Sequence, residues 1–219
     1  MKYEKPLIII LSILILIVCC KLSSEAKVRY IFANIAYGNH NESTEDIVFS
    51  KASGFYNKEF TLRLYAPTDE IYYTLDGSIP DKNAILYTEE ILVKNVSDNP
   101  NVYRSIQNII RDWKTYEIPK EAIDKAVIIR AIAIDDYGNT SDIVTKTYFV
   151  DMENYQDGYV LSIVSEPEEL FGEDGIYVTG KEYDEWYLGD QEGNMPLCNF
   201  EKEGRDSEIE TTIALFLTS

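Results

Sequence analysis

The sequence predicts a mostly β protein: a β-sandwich, preceded by an apolar N-terminal segment and followed by an incomplete α+β segment. Two observations lead to this prediction. Between residues 47 and 150, apolar and polar residues alternate in short runs separated by turn sequences, which is typical of half-buried strands. The balance of charge then changes sharply near Asp151, which indicates the boundary of a second unit.

The composition excludes several classes of function. The chain of 219 residues has 38 acidic and 20 basic residues, a formal net charge of −18. A protein that binds nucleic acid by neutralising phosphates needs a basic face, and so does a protein held on anionic lipid. One His and three Cys leave little material for a histidine triad or a Cys/His zinc site. With 45% hydrophobic residues the chain can still form a core.

Residues 1–26 are interpreted as an export signal, with a short uncleaved membrane anchor as the alternative. Residues 7–20 form an apolar run interrupted only by Ser12, and as a helix it spans about 21 Å, less than the ~30 Å hydrocarbon core. Ser24 and Ala26 are small residues at the third and first positions before a possible cleavage site, which would follow Ala26. Cleavage there removes Cys19 and Cys20 and leaves Cys198 as the single cysteine, so no intramolecular disulfide is expected. Residues 27–46 are interpreted as a spacer, because they include Asn34, Gly38, Asn39, His40, Asn41, Ser43 and Thr44.

The strands of the sandwich are expected in residues 47–150. Residues 59–66 alternate strictly, and residues 71–75 repeat the pattern before the Asp76-Gly77 turn. A short strand follows at 91–94. We expect the core to include Phe60, Leu62, Leu64, Ile71, Tyr73, Ile129, Ala131 and Ala133.

The second half of this region completes the sheet. Residues 127–135 are apolar on both faces except at Arg130, which predicts a central strand buried on both sides. Residues 136–139 form a turn, and 143–150 return as the last strand. Residues 101–116 show helical spacing and are interpreted as a long loop with a turn or two of helix.

Three ordered motifs within residues 47–150 resemble a known sandwich module. They read EIYYTLDGSIP at 70–80, LYT at 86–88 and VIIRAIA at 127–133, with DYGNTS at 136–141 in the place of the closing hairpin. This pattern is similar to the immunoglobulin- or fibronectin-III-like domain at the C-terminus of chitobiases and β-hexosaminidases, and in glycoside hydrolase family 29 fucosidases of the D-like type. The resemblance implies a non-catalytic accessory module.

Residues 151–219 resemble the opening of a spore-coat protein H (CotH) type kinase domain. The segments that carry this likeness are VLSIV at 160–164, EPEELF at 166–171, GIYVTG at 175–180, YDEW at 183–186 and NFEKEGR at 199–205. Surface proteins of that family often carry the chitobiase-type sandwich directly before the kinase-like domain. The family's nucleotide, metal and catalytic motifs match no residue here, so the resemblance implies a fragment without kinase activity.

The C-terminal segment is also distinguished by its charge. It has 18 acidic and three basic residues, a net charge of −15. Because such charge repels itself and a short sheet is marginal without covering layers, we expect this segment to be less stable than the sandwich. Its last strand is expected to present an exposed apolar edge, which favours pairing with another chain.

Aromatic residues are the candidates for ligand binding. Tyr72, Trp113, Tyr116 and Tyr137 are the predicted carbohydrate-binding residues, because aromatic faces suit the C–H face of a sugar ring; Tyr73 and Tyr87 belong to the same set of candidates. The alternative is that tyrosines serve as ordinary strand residues, with half of them in the core.

The acidic and nucleophilic residues are interpreted as structural, and no catalytic residue, metal or cofactor is predicted. Oxygen clusters around Asp76 and Asp135 suit either calcium or tight turns, and the turns are favoured. The carboxylate pairs Glu168/Glu169 and Asp184/Glu185 lack the opposed geometry of glycosidases and predict a solvated surface. His40 and Cys198 have no partner for nucleophilic chemistry.

Together these observations predict a non-enzymatic, exported or cell-surface module that acts as a spacer or adhesion domain. Its expected partners are a neighbouring domain or protein, or a surface glycan. No nucleic acid is expected, and contact with a membrane is expected only through residues 7–20. A carbohydrate-binding module and the N-terminal part of a secreted protein kinase are the alternatives.

Overall fold

The computed structural model describes residues 47–67, 70–152 and 158–217. The predicted signal or anchor, the spacer with His40, and the predicted cleavage site at Ala26 lie outside the described residues. Within these residues the strands, in chain order, are β1 Val48–Phe49, β2 Gly54–Tyr56, β3 Phe60–Leu62, β4 Leu64–Tyr65, β5 Glu70–Thr74, β6 Ile85–Leu86, β7 Ile91–Val93, β8 Val127–Ile134, β9 Val144–Val150, β10 Tyr159–Val164 and β11 Thr212–Leu217.

Helices in the described part of the chain are short. The α-helices are α1, Pro167–Phe171, and α2, Lys181–Leu188. Single turns of 3-10 helix lie at Val102–Ser105, Trp113–Thr115, Asn199–Glu201 and Arg205–Ser207. No helix in this part of the chain has the length and apolar character that crossing a membrane requires.

The main sheet has five strands in the order β2-β9-β8-β5-β6. Strand β2 pairs in parallel with β9, and the other neighbours are antiparallel. Strand β8 lies at the centre, so Ala131 has Tyr73 on one side and Val144 on the other. This position confirms the predicted central strand, and residues 129–134 of β8 are buried on both faces of the sheet.

A second layer is formed by the pairs β3-β7 and β1-β4. The sequence predicts one continuous strand over residues 59–66, but the structure has a break at Arg63. The backbone of Arg63 bonds to Ser50 instead, since its N–H donates to the Ser50 hydroxyl and its carbonyl accepts from the Ser50 N–H, both at 2.9 Å. The chain therefore changes its pairing partner at this residue.

The core of the sandwich lies between these layers. Its buried members are Ile47, Leu62, Leu64, Ile71, Ile91, Val93, Ile129, Ala131, Ala133, Tyr148 and Val150. Every predicted core residue belongs to this cluster or, for Phe60 and Tyr73, packs partly buried against it. The predicted mostly β sandwich is thus confirmed.

The opposite face of the five-stranded sheet is covered by the C-terminal segment. Strands β10 and β11 form an antiparallel two-stranded ribbon, from Tyr159 opposite Leu217 to Val164 opposite Thr212. On the inner face of this ribbon, Phe216 packs edge-on against Phe149 of β9, with ring centroids 5.1 Å apart. The sheet is therefore buried on both sides, by the second layer and by the ribbon.

Candidate functional surfaces

The structure does not bring the four predicted carbohydrate-binding residues together. Tyr137 lies at the tip of the β8–β9 turn and is 92% exposed. Tyr72 lies on β5, half buried, and its hydroxyl donates to Glu70 at 2.9 Å. Trp113 and Tyr116 lie on the loop that follows β7. Within the described ranges no ring contact joins any two of these four side chains. Their role in sugar binding stays a prediction.

Trp113 is part of an aromatic cluster with helix α2. Its ring lies 5.5 Å from that of Tyr187, which stacks on Tyr183 at 5.7 Å. The Lys114 ammonium lies 4.3 Å from the centre of the Tyr187 ring. The indole N–H donates to Asp184 at 3.2 Å. These contacts give Trp113 a structural role, since they attach the loop to the C-terminal segment.

Asp184 is less exposed than the sequence predicts, since it was expected on a solvated acidic surface. Its side chain is half buried and accepts hydrogen bonds from Trp113, from the Asn108 amide at 3.1 Å and from the Thr179 hydroxyl. Glu185, by contrast, is exposed as expected. The reason for the difference is that two of these donors lie more than 70 residues away along the chain, where sequence spacing gives no signal.

The two oxygen clusters form the turns that the sequence favours. Asp76 accepts from the Ser78 hydroxyl at 2.6 Å and from its N–H at 3.0 Å, and these bonds lower the pKa of Asp76. Gly77 between them has a φ of +90°. Asp135 likewise accepts from the amide and backbone N–H of Asn139, which lower its pKa. In the described part of the chain, no group of three His, Cys, Asp or Glu residues is placed to hold a metal ion.

Cys198 lies fully buried beside the 3-10 turn Asn199–Glu201. Burial raises the pKa of its thiol, the hydrogen bond and positive charge of Arg111 lower it less, and the shift is upward overall. A protonated, inaccessible thiol is a poor nucleophile. Cys198 therefore acts as a small core residue.

An open groove, which the sequence analysis missed, lies at one edge of the sandwich. It has a volume of about 350 Å³ and is lined by Leu64, Tyr65, Ala66, Glu70, Ile71, Leu86 and Tyr87. Tyr65 is 61% exposed, and Tyr87 contacts Tyr73 with ring centroids 6.5 Å apart. The sequence offers one sign of this groove, which is that Tyr65 lies on the polar side of an alternating strand. Its meeting with Tyr87 depends on the pairing of strands far apart in sequence.

A second surface is the outer face of the β10–β11 ribbon, which we call the ribbon face. Its side chains are each 48–69% exposed and form three cross-strand pairs: Tyr159 with Leu217, Leu161 with Leu215, and Ile163 with Ile213. The sequence predicts an exposed apolar edge at β11. The structure shows, in addition, a continuous apolar surface across both strands.

Comparison with known families gives a match to part of the sandwich. Residues 60–148 match the family model described as Fn3 associated. The match supports a fibronectin-III-associated sandwich domain, a type typical of extracellular proteins. It ends before residue 151 and so does not extend to the CotH resemblance. Searches of curated proteins and of solved structures found no match to the chain.

Proposed function

We propose that the chain is a non-catalytic module of an exported or cell-surface protein, in which the Fn3-associated sandwich holds the C-terminal segment in a fixed position. The observation that carries this proposal is that the segment covers the outer face of the five-stranded sheet. Thr147 and Ser162 share a buried hydrogen bond of 2.9 Å at this contact. Phe216 packs there against both Phe149 and Phe55, at 5.1 and 6.5 Å.

Further contacts attach the segment around this face. The Glu166 carboxylate accepts from the backbone N–H of Ile79, next to the Asp76-Gly77-Ser78 turn. Phe171 of α1 stacks on Tyr103 with centroids 4.8 Å apart. The segment is thus tied to the sheet, to a turn and to the long loop. Such a contact, with hydrogen bonds and aromatic packing, favours a rigid platform over a flexible tether.

The platform is tested by limited proteolysis of the full chain. A protease that cleaves at acidic residues has exposed candidate sites in Glu168 and Glu169. We expect cleavage in residues 158–217 to be slow in the wild type and at least tenfold faster in Phe149→Ser, which removes the contact beneath the ribbon. Leu92→Ser, at an exposed position of β7, is the control and should leave the rate unchanged. Equal rates in all three proteins would contradict a fixed C-terminal segment.

The proposal also relates residues 151–219 to CotH-type domains and assigns no catalytic residue to them. It rests on the resemblance described above, in which the family's catalytic motifs match no position of this chain. We expect no phosphotransfer from ATP with Mg²⁺ or Mn²⁺. Reproducible phosphotransfer that is lost when a residue of this chain is replaced would overturn this assignment.

Export is the second part of the proposal. The apolar run at residues 7–20 and the Ser24/Ala26 pair support cleavage after Ala26. Intact-mass analysis of material from the culture medium should give a chain that begins at Lys27. A chain that begins at Met1 and is recovered in the membrane fraction would show instead that residues 7–20 anchor the protein.

Carbohydrate binding is a second candidate, favoured by the groove at Tyr65, Glu70 and Tyr87. An exposed aromatic ring next to a carboxylate offers stacking and hydrogen bonding to a sugar. Binding on a glycan array should be lost in Tyr65→Ala if the groove is the site. Loss in Trp113→Ala or Tyr137→Ala, with Tyr65→Ala unaffected, would place the site at the residues predicted from sequence. Absence of binding to any glycan would exclude this function.

A further inference from the structure

We propose that the ribbon face is a docking surface for a protein element that presents an apolar face bordered by lysine or arginine side chains. The inference rests on the proposed platform function, because the ribbon has a single free face only while its inner face is held on the sandwich. It adds to that function the chemistry of the partner.

The side chains of the ribbon are distributed unevenly between its two faces. The inner face, which packs on the sandwich, carries Val160, Ser162, Val164, Thr212, Ala214 and Phe216. The outer face carries Tyr159, Leu161, Ile163, Ile213, Leu215 and Leu217. Apart from Phe216, the larger apolar side chains of the ribbon therefore point away from the sheet that it covers. A ribbon that needed to bury one face alone would have the reverse pattern.

The exposed apolar side chains of the ribbon face adjoin one another. Scattered apolar residues on a surface are normal, but a contiguous patch of several hundred Å² usually marks an interaction site. Here six such side chains, each about half exposed or more, lie in three adjacent pairs without a polar residue between them. Cross-strand neighbours on one face are about 5 Å apart, so the side chains form one surface.

The charge of the segment supports a basic partner. Glu168 and Glu169 follow β10 within five residues, and Glu208 and Glu210 precede β11 within four. All four are exposed and flank in sequence the end of the ribbon at Val164 and Thr212, and we call them the acidic rim. The segment as a whole has a net charge of −15. An apolar partner with basic residues at its border is attracted to this rim, and the attraction aligns the two apolar faces.

The same charge disfavours two other occupants. A second copy of the chain would bring a second set of acidic residues against the first, and like charges placed opposite each other disfavour that contact. An anionic membrane is repelled by the rim as well, because polybasic segments and not acidic ones are attracted to it.

The test uses the full chain and two synthetic amphipathic helical peptides, each with leucines on one face. One peptide has lysines on the polar face, and the other has glutamates at the same positions. Fluorescence anisotropy should show saturable binding of the lysine peptide, weakened by added salt, and at least tenfold weaker binding of the glutamate peptide. The double variant Leu161→Ser/Leu215→Ser should reduce binding of the lysine peptide at least tenfold.

Two controls make the test specific to the ribbon face. Because the serine substitutions leave the charge of the chain unchanged, nonspecific attraction of a cationic peptide would survive them. Leu92→Ser, on an exposed position of the sandwich, should bind like the wild type. Hydrogen exchange of the Ser162 and Phe216 amides should be unchanged in the double variant, which shows that the ribbon remains held on the sheet.

Other outcomes overturn the proposal. Equal affinity for both peptides, or wild-type affinity in the double variant, would show that the rim and the face do not act together. Dimers that disappear in the double variant would identify a second copy as the occupant, and binding to phosphatidylglycerol vesicles through the same leucines would identify a membrane. Free exchange of the ribbon amides in the wild type would instead show that the platform itself is absent.

Discussion

The sandwich and the C-terminal ribbon are built from the same two-residue alternation, but they bury it differently. In the sandwich, Leu62 of β3 points into the core with no exposed surface, while its neighbour Thr61 is exposed. In the ribbon both faces are apolar, and Phe216 is buried while its neighbours Leu215 and Leu217 are about half exposed. The sandwich buries its apolar face within the chain, whereas the ribbon buries only one of its two faces.

This difference indicates where stability and interaction reside in the molecule. A core that is closed between two layers gains its full transfer free energy within the chain. A ribbon with one open apolar face gains part of that energy only when a further surface covers it. The predictions below test this contrast by comparing buried and exposed positions that are close in the structure and similar in chemistry.

The largest effect is expected from Phe216→Ala, which removes the side chain that attaches the ribbon to Phe149 and Phe55. Replacement of a buried Phe by Ala typically costs about 3–5 kcal/mol, which is enough to release the ribbon. Native-state hydrogen exchange should show rapid exchange throughout β10 and β11, with β8 and β9 still protected. The neighbouring Leu215→Ala should have little effect, and a similar loss in both variants would mean that Phe216 does not hold the ribbon.

The next effect concerns the closed core. Leu62→Ala removes a fully buried side chain and should lower the free energy of unfolding by about 2–5 kcal/mol through lost transfer energy and the cavity left behind. Leu92→Ala is the matched control, because Leu92 lies on the partner strand β7, is 54% exposed and pairs with Thr61. Urea denaturation should show a change below about 0.5 kcal/mol for this control. A loss that small for Leu62→Ala would show that the register is wrong by one residue.

Sequence patterns were sufficient for the sandwich because its signals are local. The apolar faces of β8 predict a central strand, and the Asp-Gly turn after β5 forms as expected. The break at Arg63 could not be predicted, because it depends on hydrogen bonds to Ser50. The same limit applies to the groove at Tyr65, which depends on strand pairing.

The C-terminal segment was harder to predict for a physical reason. Strands at β10 and β11 follow from the sequence, but their orientation does not, because both faces of each strand are apolar enough to be buried. A rule that buries the face with more apolar residues would have placed Leu161 and Leu215 against the sandwich, because the face that is buried also carries Ser162 and Thr212. The expectation that this segment is less stable than the sandwich stays a prediction. Hydrogen exchange of the wild type, measured beside the Phe216 variant, also tests it.

A smaller effect is expected at the polar contact beneath the ribbon. Thr147 and Ser162 are both buried, and their hydroxyl oxygens are 2.9 Å apart. Thr147→Val keeps the shape of the side chain but leaves the Ser162 hydroxyl without this partner, which should cost about 1–3 kcal/mol. The double variant Thr147→Val/Ser162→Ala removes both polar groups and should recover part of the loss. Strictly additive losses in a double-mutant cycle would show that the two hydroxyls do not interact.

The smallest effect is on acid stability at the turn beside Gly77. The Ser78 hydroxyl donates to Asp76 and, with the Ser78 N–H, holds the pKa of this carboxyl below its ordinary value of 3.8. Because the folded pKa is lower than the unfolded one, the stabilisation is fully present above pH 3.8 and is lost as the pH falls through the folded pKa. Solvent screens this open turn, so we expect a contribution below about 1 kcal/mol. Ser78→Ala should raise the Asp76 pKa in an NMR titration and lower stability at pH 6 but not at the acid limit; an unchanged titration would show that the hydroxyl does not donate to Asp76.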